Sequence, residues 1–330
     1  MLLRYIHNNF LRKPLTRRRS IFYSTTTKIF ADNSALDPPS FETSVPPNIP
    51  SDFQSLKLIH SEIVANNTKL LSFELPQHVD DLSSLHIPSG IKVKQEVLPG
   101  LTHDKSYSPI SLPNNNKQVD IVVKRYESSD PSFKGLGAYM CNDLNIGDSI
   151  DVKFKPKKLL HGKPYEANRF KNLIFIGNGT GIAPLYQMAL HILDNDMEDQ
   201  TNIYFISAHR SENDILLGNE LNSMYEKHEQ FKENIFVLSK SSNDGENIMT
   251  KKNSGRYVGL EDLKEIPLPK SIDDVETSHC IICGTDGFLE HICGMTSFAY
   301  EEDGSKHKQQ GELKGLLKEY GFHKSQVTKL

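Results

Sequence analysis

The sequence predicts a two-domain chain, β first and α/β second: an antiparallel β-barrel followed by a doubly wound parallel sheet. Three observations carry this. Between about 53 and 160 the apolar residues come in short, often alternating runs separated by turn residues. From about 168 to 330 apolar runs alternate with helix-spaced segments. The first of those later runs, Leu173 to Ile176, breaks into Gly177, Gly179 and Gly181 within the stretch FIGNGTGIAP before a helical pattern begins.

The chain has 330 residues, enough for about two domains. Residues 1–30 carry Arg4, Arg12, Lys13, Arg17, Arg18, Arg19 and Lys28 and no acid. A basic leader containing Ser and Thr but no acid reads as a mitochondrial presequence, with a processing region in RRRSIFYSTTTK. Residues 31–52 hold Pro38, Pro39, Pro46, Pro47 and Pro50 with little periodicity, the composition of a linker. The whole chain is −4, so the +7 leader leaves a body of −11. An acidic body argues against nucleic acid and suits a basic protein partner. No apolar run reaches the roughly 18 residues a membrane-spanning helix needs. The mature protein is expected to be soluble, or peripheral at the inner membrane.

In the first domain SLKLIHSEIV, TKLLSFEL, GIKVKQEVL, VDIVVKRY and DSIDVKFK read as strands, and FKGLGAYMCNDL reads as a helix. Five or six such strands suggest a barrel or sandwich. In the second domain strand NLIFIG leads to helix APLYQMALHIL, where Leu185, Met188 and Ile192 recur at helical spacing. Strand NIYFISA, helix LLGNELNSMYEKH, strand NIFVLS, helix GLEDLKE, strand HCIICG and helix GELKGLLKEYG follow. The segment after HCIICG is poorly patterned, and EEDGSKHKQQG reads as a polar loop.

The four cysteines are Cys141, Cys280, Cys283 and Cys293. Cys280 and Cys283 lack the second ligand pair of a zinc site and lie in a strand rather than at a helix start. They read as small residues of a strand, and no metal site is expected. His209 and His279 flank predicted strand ends and read as surface or hydrogen-bonded histidines.

A glycine turn between a buried strand and a helix frees backbone N–H groups that an anion can approach closely. Pro184 suits the first helical turn. No Lys follows the glycines, which excludes a triphosphate loop, and the spacing GxGxG differs from the usual dinucleotide fingerprint. Parallel sheets take ligands at the carboxyl ends of their strands. Here those ends are Gly177, Ala208 to Arg210, Ser239 with Lys240, and Cys283 with Gly284. Small and basic residues together suit a flat phosphorylated ligand. In the barrel region KSYSPIS places Tyr107 before the hydroxyl of Ser108 and the rigid Pro109, able to stack a ring and offer one hydrogen bond. KGLGAYM puts Gly135 and Gly137 at a helix start, again offering donors to phosphate.

In this order, over roughly 53–330, these pieces resemble the ferredoxin–NADP reductase superfamily and specifically the NADH–cytochrome b5 reductase-like flavoproteins. The resemblance implies a barrel that holds FAD and an α/β domain that holds NAD(P)H. KSYSPIS resembles the family's R-x-Y-T/S-x. That implies flavin contacts for Lys105, Tyr107, Ser108 and Pro109, with Lys124 a further cofactor residue. GLGAYM resembles its pyrophosphate segment, implying Gly135, Gly137 and Ala138. GNGTGIAP resembles GGTGI-T/A-P, implying pyridine-nucleotide contacts for Gly179, Thr180 and Gly181. CGTDG resembles C-G-P, placing Cys283 and Gly284 beside the nicotinamide. IGD, Ile146 to Asp148, and ENDILL, Glu212 to Leu217, fit as well. The C-terminal run GELKGLLKEYGFHKSQVTKL resembles fungal mitochondrial flavoproteins of the cytochrome c import factor type. That implies NAD(P)H-driven reduction of haem during cytochrome c maturation, with a haem or cytochrome protein as acceptor. In this reading Ser108 tunes the flavin while Thr180 and Cys283 shape the nicotinamide side, none as a general acid or nucleophile.

Several positions depart from the family pattern. Lys105 stands for Arg, so a fork becomes a point charge. Ala138 stands for Ser, Asn178 for Gly, Thr285 and Asp286 where Pro is usual, and Leu330 for an aromatic. Lys240 occupies the place of an Asp that reads the ribose of NADH, and Arg210 ends the preceding strand. These cations point to NADPH or to use of both nucleotides, or are solvated surface charges. The alternative from another class is a non-catalytic FAD-binding assembly factor docked on a haem-attachment enzyme.

Overall fold

The computed structural model describes residues 49–330 except 78, 80–81, 83–84, 114–116, 127–134, 156–163, 195–196, 240–251, 269–276 and 301–305. The basic leader, most of the proline-rich spacer and Lys240 therefore lie outside the described residues.

Six strands build the first sheet: β1 (Gln54–Ala65), β2 (Thr68–Glu74), β3 (Gly90–Leu98), β4 (Leu101–Tyr107), β5 (Gln118–Lys124) and β6 (Ser149–Lys155). Their order is β4-β3-β6-β1-β2-β5, and every neighbouring pair is antiparallel. The two edges meet. Pro109 bridges Ile121 of β5, and the Ile110 amide donates to the Asp120 carbonyl at 2.8 Å. This closes the sheet towards a barrel and leaves fewer unpaired edge groups. Alternating side chains fill the interior, among them Leu56, Leu58, Leu71, Phe73, Ile91, Val93, Ile121, Val123, Ile150, Val152 and Phe154. Helix α1 (Leu136–Asn142) covers β5 through the buried Leu136, Met140 and Cys141.

The second sheet holds β7 (Asn172–Asn178), β8 (Asn202–His209), β9 (Phe231–Leu238), β10 (Lys252–Ser254), β11 (Ser278–Cys283) and β14 (Val327–Lys329). All pairs are parallel in the order β10-β9-β8-β7-β11-β14. Leu173 and Phe175 of β7 pack with α2 (Ile182–Asp194) on one face. Ile174 and Ile176 pack on the other with Leu289 and Ile292 of α4 (Asp286–Ile292) and Leu317 of α5 (Gly315–Tyr320). A strand covered on both faces reads as a continuous apolar run, which is why this one was legible. Helix α3 (Gly218–Lys227) follows β8. A separate hairpin pairs β12 (Ser297–Tyr300) with β13 (Lys306–Gln309). From β7 the chain runs first to β8 on one side and later to β11 on the other, so the carboxyl end of β7 is the switch point where such sheets bind ligands.

The two sheets share one apolar core. Leu70, Ile87, Ile110, Leu112 and Val122 of the barrel pack with Ala183, Leu185 and Tyr186 of α2. Gln187 is fully buried within this contact. Its Oε1 accepts the Ser89 amide at 2.8 Å; its Nε2 donates to Ser89 Oγ at 2.9 Å and to the Ser111 carbonyl at 2.7 Å.

Several elements differ from expectation. Strand β4 lacks an apolar face, because Leu101, Thr102, Asp104, Lys105 and Ser106 are exposed. The expected helix GLEDLKE is a single 3₁₀ turn, Leu260–Leu263. The expected polar loop contains β13, and the unpatterned segment contains α4, whose buried residues are only Leu289 and Ile292. Helix α5 starts at Gly315 rather than Gly311.

Candidate functional site

The carboxyl ends of β7, β8, β9 and β11 face the ends of β4 and β5 across a cleft of about 940 Å³. Lys105, Tyr107, Ser108, Lys124 and Tyr126 line it from the barrel. Asn178, Gly179, Thr180, Gly181, His209, Arg210, Cys283 and Gly284 line it from the parallel sheet. The structure thus gathers ten of the cofactor-site residues expected from the sequence: Lys105, Tyr107, Ser108, Lys124, Gly179, Thr180, Gly181, Arg210, Cys283 and Gly284. Pro109 sits beside them in the bridge to β5. Gly135, Gly137 and Ala138 stand on the α1 turn, not in the cleft wall. Gly137 has a packing reason to be glycine, since a Cβ there would lie 2.8 Å from the Lys124 carbonyl oxygen.

The glycine turn is a short 3₁₀ segment, Gly179–Gly181, leading directly into α2. Gly179 has φ +51 and open space where a Cβ would point. A Cβ on Gly181 would lie 2.5 Å from the Cys283 carbonyl oxygen, so turn and β11 touch backbone to backbone. Among the described residues no side chain caps the turn, and the first turn of α2 holds no acid. Its amides and helix dipole are left for an anion from outside the chain.

On the barrel side Tyr107 is half-buried, and its Oη is enclosed without a hydrogen-bond partner among the described residues. Burial pushes the phenol far up, with Cys141 and Tyr126 adding to the shift, so it stays protonated. The Lys105 ammonium lies 5.9 Å from the Tyr107 ring centre and 5.6 Å from that of Tyr126. A point charge over aromatic faces occupies the place where the resembled pattern has a guanidinium.

Sequence reasoning missed the network at the end of β8. His209 is 7% exposed, and its Nδ1 donates to the Asp214 carbonyl at 3.1 Å. A carbonyl only accepts, so this bond fixes the tautomer and leaves Nε2 bare. Nε2 is buried without a partner among the described residues, and burial pushes the imidazole down to about 4. The Asp214 carboxylate receives Ser211 Oγ at 2.6 Å and faces Lys124 of the barrel at 3.7 Å. His279 lies at the amino end of β11, stacked on Phe170 and bonded to Thr328, away from the cleft.

Among the described residues four cations line the cleft, Lys105, Lys124, Arg210 and Arg256, against one carboxylate, Asp214. Arg256 is committed to Asp262 by two bonds of 2.6 and 2.8 Å. Arg210 is exposed at the rim. An electropositive cleft in a chain of net charge −4 selects a polyanion.

Cys280 and Cys283, three apart on one strand, point to opposite faces: Cys280 into the core beneath α4, Cys283 into the cleft. Beyond Cys283 the Thr285 amide donates to Asn178 Oδ1 at 2.9 Å.

The residues present fit two dinucleotides. The uncapped turn and the surplus cations suit phosphates, and the enclosed Tyr107 hydroxyl and the aromatic floor suit a flat ring. This geometry holds and orients ligands. The described residues do not assemble a nucleophile with a base.

The chain matches the family model of the oxidoreductase FAD-binding domain over residues 55–157 and that of the oxidoreductase NAD-binding domain over 175–294. It is similar to NADH-cytochrome b5 reductase 2 of Neurospora crassa, 32% identical over 277 residues, 83% of this chain and 72% of that protein. It is likewise similar to NADH-cytochrome b5 reductase 2 of Emericella nidulans, 33% identical over 83% of this chain and 77% of that one. The cytochrome b5 reductase domain of Ulva prolifera nitrate reductase shares the fold with a TM-score of 0.64 at 20% identity, covering 86% of this chain and 100% of that one. A ferredoxin NADP+ reductase from Neisseria gonorrhoeae does so with a TM-score of 0.54 at 14% identity, covering 73% of this chain and 89% of that one. Among the described residues no helix is long and apolar enough to cross a membrane.

Proposed function

The chain belongs to the NADH–cytochrome b5 reductase family of FAD- and NAD(P)H-binding oxidoreductases, and from that premise we propose that it passes electrons from NAD(P)H through FAD to a haem protein of the cytochrome class. FAD, when bound, supplies the exchange between hydride transfer and single-electron transfer. The chain's residues bind, orient and neutralise. Tyr107 and Ser108 hold the flavin ring, with Ser108 offering one hydrogen bond and Pro109 keeping that segment rigid. Lys105 and Lys124 balance phosphate charge. Gly135, Gly137 and Ala138 are the proposed pyrophosphate contacts. Gly179, Thr180 and Gly181 receive the pyridine nucleotide, with Cys283 and Gly284 walling its ring. Arg210 is the proposed contact for the adenosine end, joined by Lys240 on the sequence reading alone, and two cations there favour NADPH or the use of both nucleotides; the relatives named above carry NADH in their names. In this proposal the basic leader is a mitochondrial address, and the acceptor is a haem group entering c-type cytochromes, a reading supported by the resemblance of the C-terminal run. Peripheral attachment at the inner membrane belongs to the same proposal.

The observation that carries this reading is the single cleft shared by Tyr107 and Ser108 on one wall and Gly179 to Gly181 with Cys283 on the other. The test is optical. Purified yellow protein, mixed anaerobically with NADH and with NADPH, loses its flavin absorbance within seconds and is reoxidised by ferric cytochrome. A flavin that stays oxidised with both nucleotides overturns the proposal and favours a scaffold. Ratios of kcat/KM decide between nucleotides, and a strict NADH preference removes the roles given to Arg210 and Lys240. Import of the full chain into isolated mitochondria, with loss of residues 1–30, checks the address.

A further inference from the structure

Two departures from the resembled motif meet in space. Asn178 ends β7 where the pattern has Gly, and Thr285 follows Cys283 and Gly284 where the pattern has Pro. The two positions are 107 residues apart in sequence. Thr285 has a backbone N–H that proline lacks, so this position can donate a hydrogen bond where the pattern cannot. The Asn178 side chain supplies the acceptor: Oδ1 accepts the Thr285 amide at 2.9 Å, and Nδ2 reaches Thr285 Oγ1 at 3.4 Å. The donor identifies Oδ1, because only the oxygen of the side-chain amide accepts. The side chain therefore lies across Gly284, where an added Cβ would collide with Oδ1 and with Phe288. All four residues line the cleft.

We propose that Asn178 and Thr285 form a clasp across the ends of β7 and β11 that sets the width of the pyridine-ring pocket, making Asn178 a positioning residue for nucleotide binding. This rests on the reading that a pyridine nucleotide binds at the end of β7. The clasp ties the Cys283–Gly284 backbone to the strand that carries the glycine turn, and so fixes the wall against which the ring lies. Asparagine and threonine together replace a glycine and a proline, so neither substitution is tolerated well without the other.

A four-member cycle tests this: the holoprotein, Asn178→Gly, Thr285→Pro, and both together. Thr285 has φ −70, which proline adopts without strain, and Asn178 has an extended backbone that glycine accepts. Calorimetry reads the dissociation constants of NAD+ and of ADP-ribose, which lacks the pyridine ring; steady-state assays with ferricyanide read KM and kcat. Asn178→Gly removes the tie between the two strand ends and weakens NAD+ about fivefold, with ADP-ribose unchanged. KM rises more than kcat falls. Thr285→Pro alone strands Asn178 Oδ1 and weakens NAD+ comparably. The double variant returns to within about twofold of the starting protein. Losses that simply multiply in the double variant, or ADP-ribose weakening in parallel with NAD+, overturn the clasp. If the unsubstituted protein shows no flavin reduction by either nucleotide, the reading under Proposed function falls first, and that outcome is distinct from an additive cycle in an active enzyme.

Discussion

Replacing Gln187 by methionine keeps length and volume but removes every polar contact at the centre of the domain interface. The Ser89 amide, 2.8 Å from Oε1, and the Ser111 carbonyl, 2.7 Å from Nε2, lose their partners inside an apolar core. The Ser89 hydroxyl can rotate to another acceptor; the two backbone groups cannot. Each orphaned backbone group costs about 1–3 kcal/mol, so Gln187→Met loses roughly 3 kcal/mol. For a chain of this size that lowers the melting midpoint by about 4 °C. Ser111 also accepts the Asp120 amide through Oγ at 2.9 Å, so the residue gripped by Gln187 is anchored in β5, beside the Tyr107–Ser108 segment. The prediction is therefore double: a lower midpoint by calorimetry of the holoprotein, and slower flavin reduction at saturating nucleotide, because the two walls of the cleft lose their fixed separation. A midpoint within about 2 °C of the parent together with an unchanged reduction rate would refute the reasoning.

Three further outcomes follow from the site. His209 is pushed down to about 4 from an ordinary value of 6.5, so the unfolded chain binds this proton over a window where the native chain does not. Its contribution is fully present above pH 6.5 and falls as the pH drops towards 4, a loss of about 3 kcal/mol that His209→Asn should flatten in a urea-midpoint titration. Gly181→Ala forces a Cβ to within 2.5 Å of the Cys283 carbonyl oxygen, and we expect calorimetric nucleotide binding to fall at least tenfold while flavin content holds. Tyr107→Phe removes the enclosed hydroxyl; FAD then binds about fivefold more weakly in equilibrium dialysis, and an unchanged affinity means that this hydroxyl does not serve the cofactor.

What could be read in the sequence depended on range. Strands β7 and β8 announce themselves because both faces are covered and their centres, Leu173 to Ile176 and Ile203 to Ile206, are unbroken apolar or aromatic runs. Strand β4 does not, because its side chains stay largely in water and its pairing with β3 is what makes it a strand. The glycine turn was legible because backbone contact with Cys283 permits no side chain there. The clasp, the Gln187 lock and the His209–Asp214–Lys124 network were not, since two of them join residues about a hundred positions apart and the third joins the two domains. One signal did exist. Gln187 is a polar residue on a helix whose neighbours Ala183, Leu185, Met188 and Ala189 are all buried, and a polar side chain there needs a partner from elsewhere.

Strand β11 joins β7 across more than a hundred residues of intervening chain, and its other neighbour is Val327–Lys329. A nascent polypeptide leaving the ribosome has all six barrel strands in hand by Lys155, whereas Cys283 gains its second flanking strand only when synthesis has passed residue 329. Contacts of such separation also close slowly. The strands of the first sheet are thus all present in the chain well before the strand that completes the flank of β11 exists.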